Sequence, residues 1–209
     1  MSVEAGSRAG RALFPLGQSL GQRDGGLVFD VRVGDELRQV DPVQWAVWAL
    51  AHGLPGVSGP WTADDVLLQA TAAGLPDARE VLTGLADDGL VVEAPADAAG
   101  ALALAERVRV MVALLPLGNS AEEPAAWSLG LPGQPLVHVD EAVYEVVVLG
   151  HLDTDLWTTV QQVAAAPRPS ADDVRDPVVL LGRVLDALPT LLSVGAVHLD
   201  RAVPRTAAA

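Results

Sequence analysis

The chain has 209 residues, half of them hydrophobic and 19% charged, which is enough apolar surface to fold and excludes the composition of a disordered protein. Its formal net charge is −14, and such an acidic surface repels the phosphates of nucleic acids. The absence of cysteine excludes disulfides, thiolate metal sites and cysteine nucleophiles, and it permits a reducing compartment, so we expect a cytoplasmic protein.

The two termini and the most apolar stretch predict neither a signal peptide nor a membrane span. Residues 1–11 have no apolar segment after their basic residues, so we expect a flexible tail there. The stretch 101–117 is interrupted by Glu106, Arg107 and Arg109 and is too short between charges to cross a bilayer. No membrane association is expected.

An internal repeat divides the chain into two modules. Residues 13–19 and 114–120 are identical at five of seven positions, and both contain Pro-Leu-Gly. Further matches keep the same order: Val40-Asp41 with Val139-Asp140, and Trp61-Thr62 with Trp157-Thr158. We therefore predict a first module at 12–97, a second at 98–202 and a flexible tail at 203–209, each module with its own core.

The first module is predicted to contain a hairpin, three helices and a short strand. Apolar residues alternate over 27–33, and Gly34-Asp35 then turns the chain into a second strand over 37–40. Asp41 and Pro42 begin a helix that ends near Gly53. Helices at about 62–73 and 77–89, begun by caps at Thr62 and Asp77, precede a strand at 90–92.

The second module repeats this plan. We predict strands at 127–131, 136–139 and 196–199, and helices at 140–149, 156–165 and 178–194. Pro189 should kink the last helix, and 101–108 is a candidate linker helix between the modules.

The order of these elements is that of a winged helix with its sheet placed first, so the predicted fold class is α+β with two tandem winged-helix-like modules. Residues 24–93 resemble the peptide-binding recognition elements of ribosomal peptide pathways, such as the peptide chaperone of pyrroloquinoline quinone synthesis. The similarity lies in the hairpin 27–40 and in segments 61–66 and 82–91. It implies that a leader peptide adds as a strand to the hairpin edge and packs against the third helix.

Candidate catalytic and metal-binding strings are better explained as structural. Gly17–Gly21 is a literal G-x-S-x-G, but that motif needs a helix directly after the serine, whereas 22–26 is predicted to be a turn. His151, Asp153 and Asp155 lie between two predicted helices, where a capping loop is expected. The Ala-Asp-Asp-Val strings at 63–66 and 171–174 are expected to stabilise helix starts. We therefore predict no enzyme, no metal and no cofactor.

The first and third helices of the first module supply the candidate partner-binding residues. Trp45 and Trp48 are spaced so that one should lie in the core and the other beside it. The third helix carries one arginine among four acidic residues, which disfavours its insertion into DNA. The candidates are Trp45, Trp48, Asp77, Glu80, Asp87 and Asp88.

The function predicted from these features is a non-catalytic interaction module, an adaptor or scaffold, for a protein or a peptide. A basic partner would complement the acidic surface. The alternative is a transcription-linked regulator with winged-helix domains.

Overall fold

The computed structural model describes residues 11–57, 59–167 and 174–204. Most of the predicted tails at 1–11 and 203–209, namely residues 1–10 and 205–209, and residues 171–173 of the second Ala-Asp-Asp-Val string lie outside the described residues. Helices alternate with small antiparallel sheets, so the α+β class is confirmed.

The strands are β1 Ala12–Pro15, β2 Gln18–Arg23, β3 Val28–Val33, β4 Glu36–Val40, β5 Val91–Ala94, β6 Val108–Val112, β7 Leu115–Gly118, β8 Trp127–Leu131, β9 Gln134–Val139 and β10 Val197–Arg201. The α-helices are α1 Pro42–Leu50, α2 Ala63–Ala72, α3 Ala78–Asp87, α4 Ala98–Ala105, α5 Glu141–Leu149, α6 Leu156–Ala165 and α7 Pro177–Ser193. A short 3-10 turn, Asp24–Gly26, joins β2 to β3.

The same order of elements occurs on both sides of α4: four strands, three helices and one strand. In each half the middle strands form a three-stranded sheet, β2-β3-β4 or β7-β8-β9, and the first strand pairs with the last, β1 with β5 or β6 with β10. Both predicted hairpins are present. The structure adds four strands that the sequence did not predict: β1, β2, β6 and β7. Strands β2 and β7 are largely exposed and carry no hydrophobic alternation, whereas β1 and β6 are short and pair with segments far away in the sequence.

Helix caps account for most of the helix starts. Asp41 and Asp140 each accept a hydrogen bond from the backbone N–H of a valine, so the predicted Val-Asp helix starts are confirmed. Thr62 and Asp65 form the capping box of α2. In α6 the cap is Asp155, which accepts from the backbone N–H and hydroxyl of Thr158.

One repeat match and one cap assignment from the sequence are therefore wrong. Trp61-Thr62 and Trp157-Thr158 do not occupy equivalent positions, since Thr62 caps α2 whereas Thr158 lies inside α6. Asp77 precedes α3 in a left-handed conformation, with φ 50°, and its side chain makes no capping hydrogen bond.

The boundaries of the predicted linker helix and of the C-terminal tail also shift. The helix α4 begins at Ala98 because the Asp97 carboxylate accepts a hydrogen bond from the Gly100 N–H at 2.7 Å. Helix α7 continues through Pro189 to Ser193. Beyond β10, the N–H of Val203 donates to the Thr154 carbonyl at 2.8 Å, so the chain is still held one residue into the segment predicted to be a tail.

The repeated Pro-Leu-Gly segment makes the turn from β1 to β2 in the first half, whereas in the second half it lies within β7. Gly17 and Gly118 both have positive φ, 97° and 76°. At Gly17 a Cβ atom would lie 2.7 Å from the Arg32 carbonyl oxygen, so no larger residue fits there without a backbone shift. The N–H of Gly17 donates to the Leu199 carbonyl at 2.7 Å, which joins the first half to β10 of the second.

The buried hydrophobic side chains of both halves form one continuous cluster. This differs from the expectation of a separate core for each module. Strand β10 contacts both β1 and β2, and α4 packs between β5 and α7. Each half therefore buries part of its apolar surface against the other, which a repeat in the sequence cannot reveal.

In the part of the chain that the structure describes, no helix combines the length and the apolar character needed to span a membrane.

Candidate functional site

The two three-stranded sheets end in four edge strands, and β4 is the most regular of them. The pairing of β2 is interrupted by a bulge between Ser19 and Gly21. Strands β7 and β9 each contain a proline, Pro116 or Pro135, and the pairing of each of them with β8 has a register shift. The register of β4 on β3 is unbroken over all five residues. Prolines and bulges block pairing by a further strand, so β4 is the edge best suited to it.

The hairpin geometry decides which backbone groups of β4 face outward. The turn at Gly34-Asp35 has two residues, so Val33 and Glu36 close the hairpin as a hydrogen-bonded pair. Hydrogen-bonded and non-hydrogen-bonded pairs then alternate along the two strands, and Leu37 and Gln39 fall in non-hydrogen-bonded pairs. Their N–H and C=O groups therefore point away from β3. Within the described residues, these outward groups make no backbone hydrogen bond.

A groove of about 490 Å³ lies between β4 and the C-terminal end of α3. The backbone that leaves α3 turns at Gly89, with φ 68°, and brings the buried Leu90 beneath the groove. Its walls are formed by Leu37, Arg38, Gln39, Val40, Asp88 and Leu90. The groove therefore combines a strand edge with a helix end.

Charged side chains surround this groove. The carboxylate of Glu36 accepts from the guanidinium groups of Arg38 at 2.5 Å and Arg201 at 3.3 Å. All three are substantially exposed, so these ion pairs contribute only about 0–1 kcal/mol each to stability. Asp87 and Asp88 are exposed on the α3 side. A ligand can therefore exchange these ion pairs for its own at little cost.

The turn of the β3–β4 hairpin is held by a buried carboxylate of the second half. Asp200, on β10, is completely buried and accepts from the N–H of Gly34 at 2.5 Å and of Arg201 at 2.9 Å. The guanidinium groups of Arg32 and Arg109 each lie 3.5 Å from its other oxygen. Because a buried charge is stable only when it is paired, this arrangement fixes the hairpin, and with it β4, to the second half.

No protein-family model, curated protein or solved structure gives a significant match to this chain.

Two histidines lie near this inter-half contact. His198 is buried on β10, and neither of its ring nitrogens has a hydrogen-bond partner in the described structure. Burial lowers the pKa of His198 to about 4; Asp200 opposes this shift, whereas Arg32, Arg109 and His52 add to it. Burial also lowers the pKa of His52, whose Nδ1 lies 3.1 Å from the Trp48 carbonyl. Both imidazoles are therefore neutral at pH 7.

The two tryptophans predicted to bind a partner have different environments. Trp48 is buried, and its indole N–H donates to the Leu16 carbonyl at 3.1 Å, so it is a core residue and is wrongly placed among the partner-binding candidates. Trp45 is half-buried and stacks on Phe29 with ring centroids 4.5 Å apart. Its indole N–H lies 3.4 Å from the Ser19 hydroxyl.

The four predicted acidic residues of α3 are all exposed, but they do not form one site. Asp88 lines the groove, and Asp87 lies next to it. Asp77 and Glu80 lie at the opposite end of a ten-residue helix, which is about 15 Å long. The sequence did not predict that Leu37, Arg38 and Gln39 line a groove. The absence of proline from β4 was nevertheless visible in the sequence and is compatible with an edge that can pair with a further strand.

The catalytic and metal-binding strings have structural roles. Ser19 lies on the exposed strand β2, paired with Val31, and no helix follows it. Asp153 accepts from the Gln162 side chain at 2.7 Å, and Asp155 caps α6, as the capping-loop interpretation predicted. No group of three metal-ligating side chains occurs among the described residues.

Proposed function

We propose that this protein is a non-catalytic interaction module, built from a duplicated winged-helix-like unit, that binds an extended peptide segment by strand addition to β4. The observation that carries the proposal is the regular, unpaired edge of β4 beside an open groove at the end of α3. An extended peptide would bond to the outward groups of Leu37 and Gln39 and place alternate side chains in the groove.

The duplicated unit is supported by the element order and strand pairing that both halves share. The two halves differ at their hairpin edges, however. Pro135 removes an N–H from β9, and a register shift follows Leu129 in the sheet. Only the first half therefore offers a continuous edge, so we propose one peptide site for the whole chain.

The charge near the groove favours a peptide that carries basic side chains. Asp87 and Asp88 are exposed at the end of α3, and the chain as a whole has a net charge of −14. Glu36 adds a carboxylate on the strand side, where Arg38 and Arg201 now neutralise it. Arginine or lysine beside the extended core of the peptide would speed association and favour it over acidic segments.

The proposal is tested with short random peptides displayed on phage and selected on the purified full chain. The most enriched peptide is then labelled with fluorescein and titrated by fluorescence anisotropy. Gln39→Pro removes one outward N–H and leaves the bonds between β3 and β4 in place, so it should weaken binding at least about tenfold. Gln39→Ala keeps that N–H and is the matched control.

Circular dichroism melts of both variants establish that the fold is intact. Failure to enrich any peptide would overturn the proposal. Equal binding by the wild-type protein and Gln39→Pro would show that recognition does not use the β4 edge, and it would overturn the strand-addition mechanism.

A further inference from the structure

A second cavity lies between the two halves. It has a volume of about 630 Å³, within the usual range for small-molecule pockets. Its walls come from β1 and β5 of the first half, from α4, and from α6 and α7 of the second half. It shares no lining residue with the groove beside β4, so an inference about it is independent of the proposed peptide site.

The wall formed by α7 contains a glycine whose missing side chain is not needed for packing against any neighbouring element. Gly182 lies inside a 17-residue helix, where glycine is destabilising relative to alanine. A Cβ atom added there would meet nothing within 4 Å, so no neighbouring element needs the space. The missing side chain leaves room in the cavity and lets an occupant approach the helix.

Aromatic and apolar side chains form the remaining wall. Phe14 and Leu181 are buried at the base, and Trp157 is half-buried beside them. The indole N–H groups of Trp45, Trp48 and Trp61 all bond to other residues, whereas that of Trp157 has no hydrogen-bond partner in the described part of the chain. Trp157 therefore supplies an aromatic surface to the cavity.

The only charged residues that line the cavity among the described ones are two carboxylates. Asp97 and Asp186 are exposed, so they border its opening to solvent. No arginine, histidine or lysine lines the cavity to balance them. An apolar chamber with an aromatic wall and acidic rim is complementary to a hydrophobic body that ends in a positive charge.

We infer that this cavity binds a small hydrophobic molecule that carries one cationic group, with its apolar body against Phe14, Leu181 and Gly182 and its charge near Trp157, Asp97 and Asp186.

The test compares three probes with the same apolar chain: decyltrimethylammonium, decanol and decanoate, each below its micelle concentration. Binding to the full-length protein is measured by isothermal titration calorimetry and by tryptophan fluorescence. We expect saturable binding of one decyltrimethylammonium per chain, about tenfold tighter than decanol, with decanoate the weakest. In Trp157→Phe, the fluorescence change on binding should be lost.

Two substitutions separate the cavity from general attraction to an acidic protein. Gly182→Leu fills the cavity without changing charge and should weaken all binding at least about tenfold. Gly84→Leu is the matched control, because Gly84 also lies inside a helix with no atom within 4 Å of an added Cβ, yet it does not line the cavity. Its binding should equal that of the wild type.

The double substitution of Asp97→Asn and Asp186→Asn tests the cationic preference. Asparagine still caps α4, so the helix is retained. The variant should bind decyltrimethylammonium and decanol about equally. Absence of saturable binding by all three probes, or equal affinity in Gly182→Leu and the wild type, would overturn the cavity as a ligand site. Wild-type binding of decanol as tight as that of the cation would overturn the assigned ligand class.

Discussion

The buried histidine at the contact between the halves makes stability depend on pH in a defined direction. The pKa of His198 falls from 6.5 to about 4 on folding. Between these values the unfolded chain binds a proton that the folded chain does not, so the free energy of unfolding decreases as the pH falls from about 6.5 to 4. At about 1.4 kcal/mol per pKa unit, the full effect is about 3 kcal/mol.

His198→Leu removes this titration and both unpartnered ring nitrogens. Between pH 7 and pH 5, a group with these pKa values costs the folded state about 2 kcal/mol. The wild-type protein should therefore lose about 2 kcal/mol more than His198→Leu over that range. At pH 7 the variant should be as stable as the wild type or about 1 kcal/mol more stable, since no hydrogen bond is lost.

The assay is urea unfolding followed by tryptophan fluorescence at pH 7 and pH 5. His151→Gln, which changes an exposed histidine, is the control and should lose as much stability as the wild type. His52 remains in every variant, and burial lowers its pKa too, so part of the pH dependence persists throughout. Equal losses in His198→Leu and the wild type would refute the reasoning.

Three further results are expected. Asp200→Ala should lower the free energy of unfolding by about 3 kcal/mol in urea titrations, because Arg109 stays largely buried without its partner. Glu36→Ala, which removes only exposed ion pairs, should lower it by less than about 1 kcal/mol. Equal losses in the two variants would contradict the difference expected between buried and exposed pairs. Residues 1–97 expressed alone should show no cooperative thermal transition by circular dichroism, since their core is completed by the second half, and a cooperative melt would show that the core is divisible. A gel shift at physiological salt should detect no submicromolar binding to duplex DNA, because α3 exposes Asp77, Glu80 and Asp87; a shifted band would favour the regulator alternative.

Local signals predicted both hairpins, the helices and the last strand of each half, but not β1, β2, β6 and β7. The alternation over 27–33, the two-residue turn at Gly34-Asp35 and the cap at Asp41 are each encoded within a few residues, and the hairpin and α1 follow from them. Strand β2 escaped prediction because its pairing depends on main-chain bonds to β3 and on no apolar pattern of its own. Turns and caps can be read from a few neighbouring residues, whereas strands that are exposed or that pair with distant segments cannot.

The features that define the candidate sites depend on contacts between distant segments. The bond from Gly34 to Asp200 spans 166 positions, and no local pattern indicates it. The proline in β9 was visible in the sequence, but its meaning depended on knowing that β9 is an edge strand. The cavity arises where α4 and α7 meet the first half, and the sequence predicted neither that contact nor the shared core.

Backbone amide exchange at β4 tests the central claim most directly. Hydrogen–deuterium exchange, read by NMR, is compared for the free full-length protein and its complex with the selected peptide. Strand addition predicts that the outward amides of Leu37 and Gln39 become strongly protected, whereas the amide of Arg38, already bonded to β3, changes little. Binding that leaves Leu37 and Gln39 exchanging as fast as in the free protein would contradict the account.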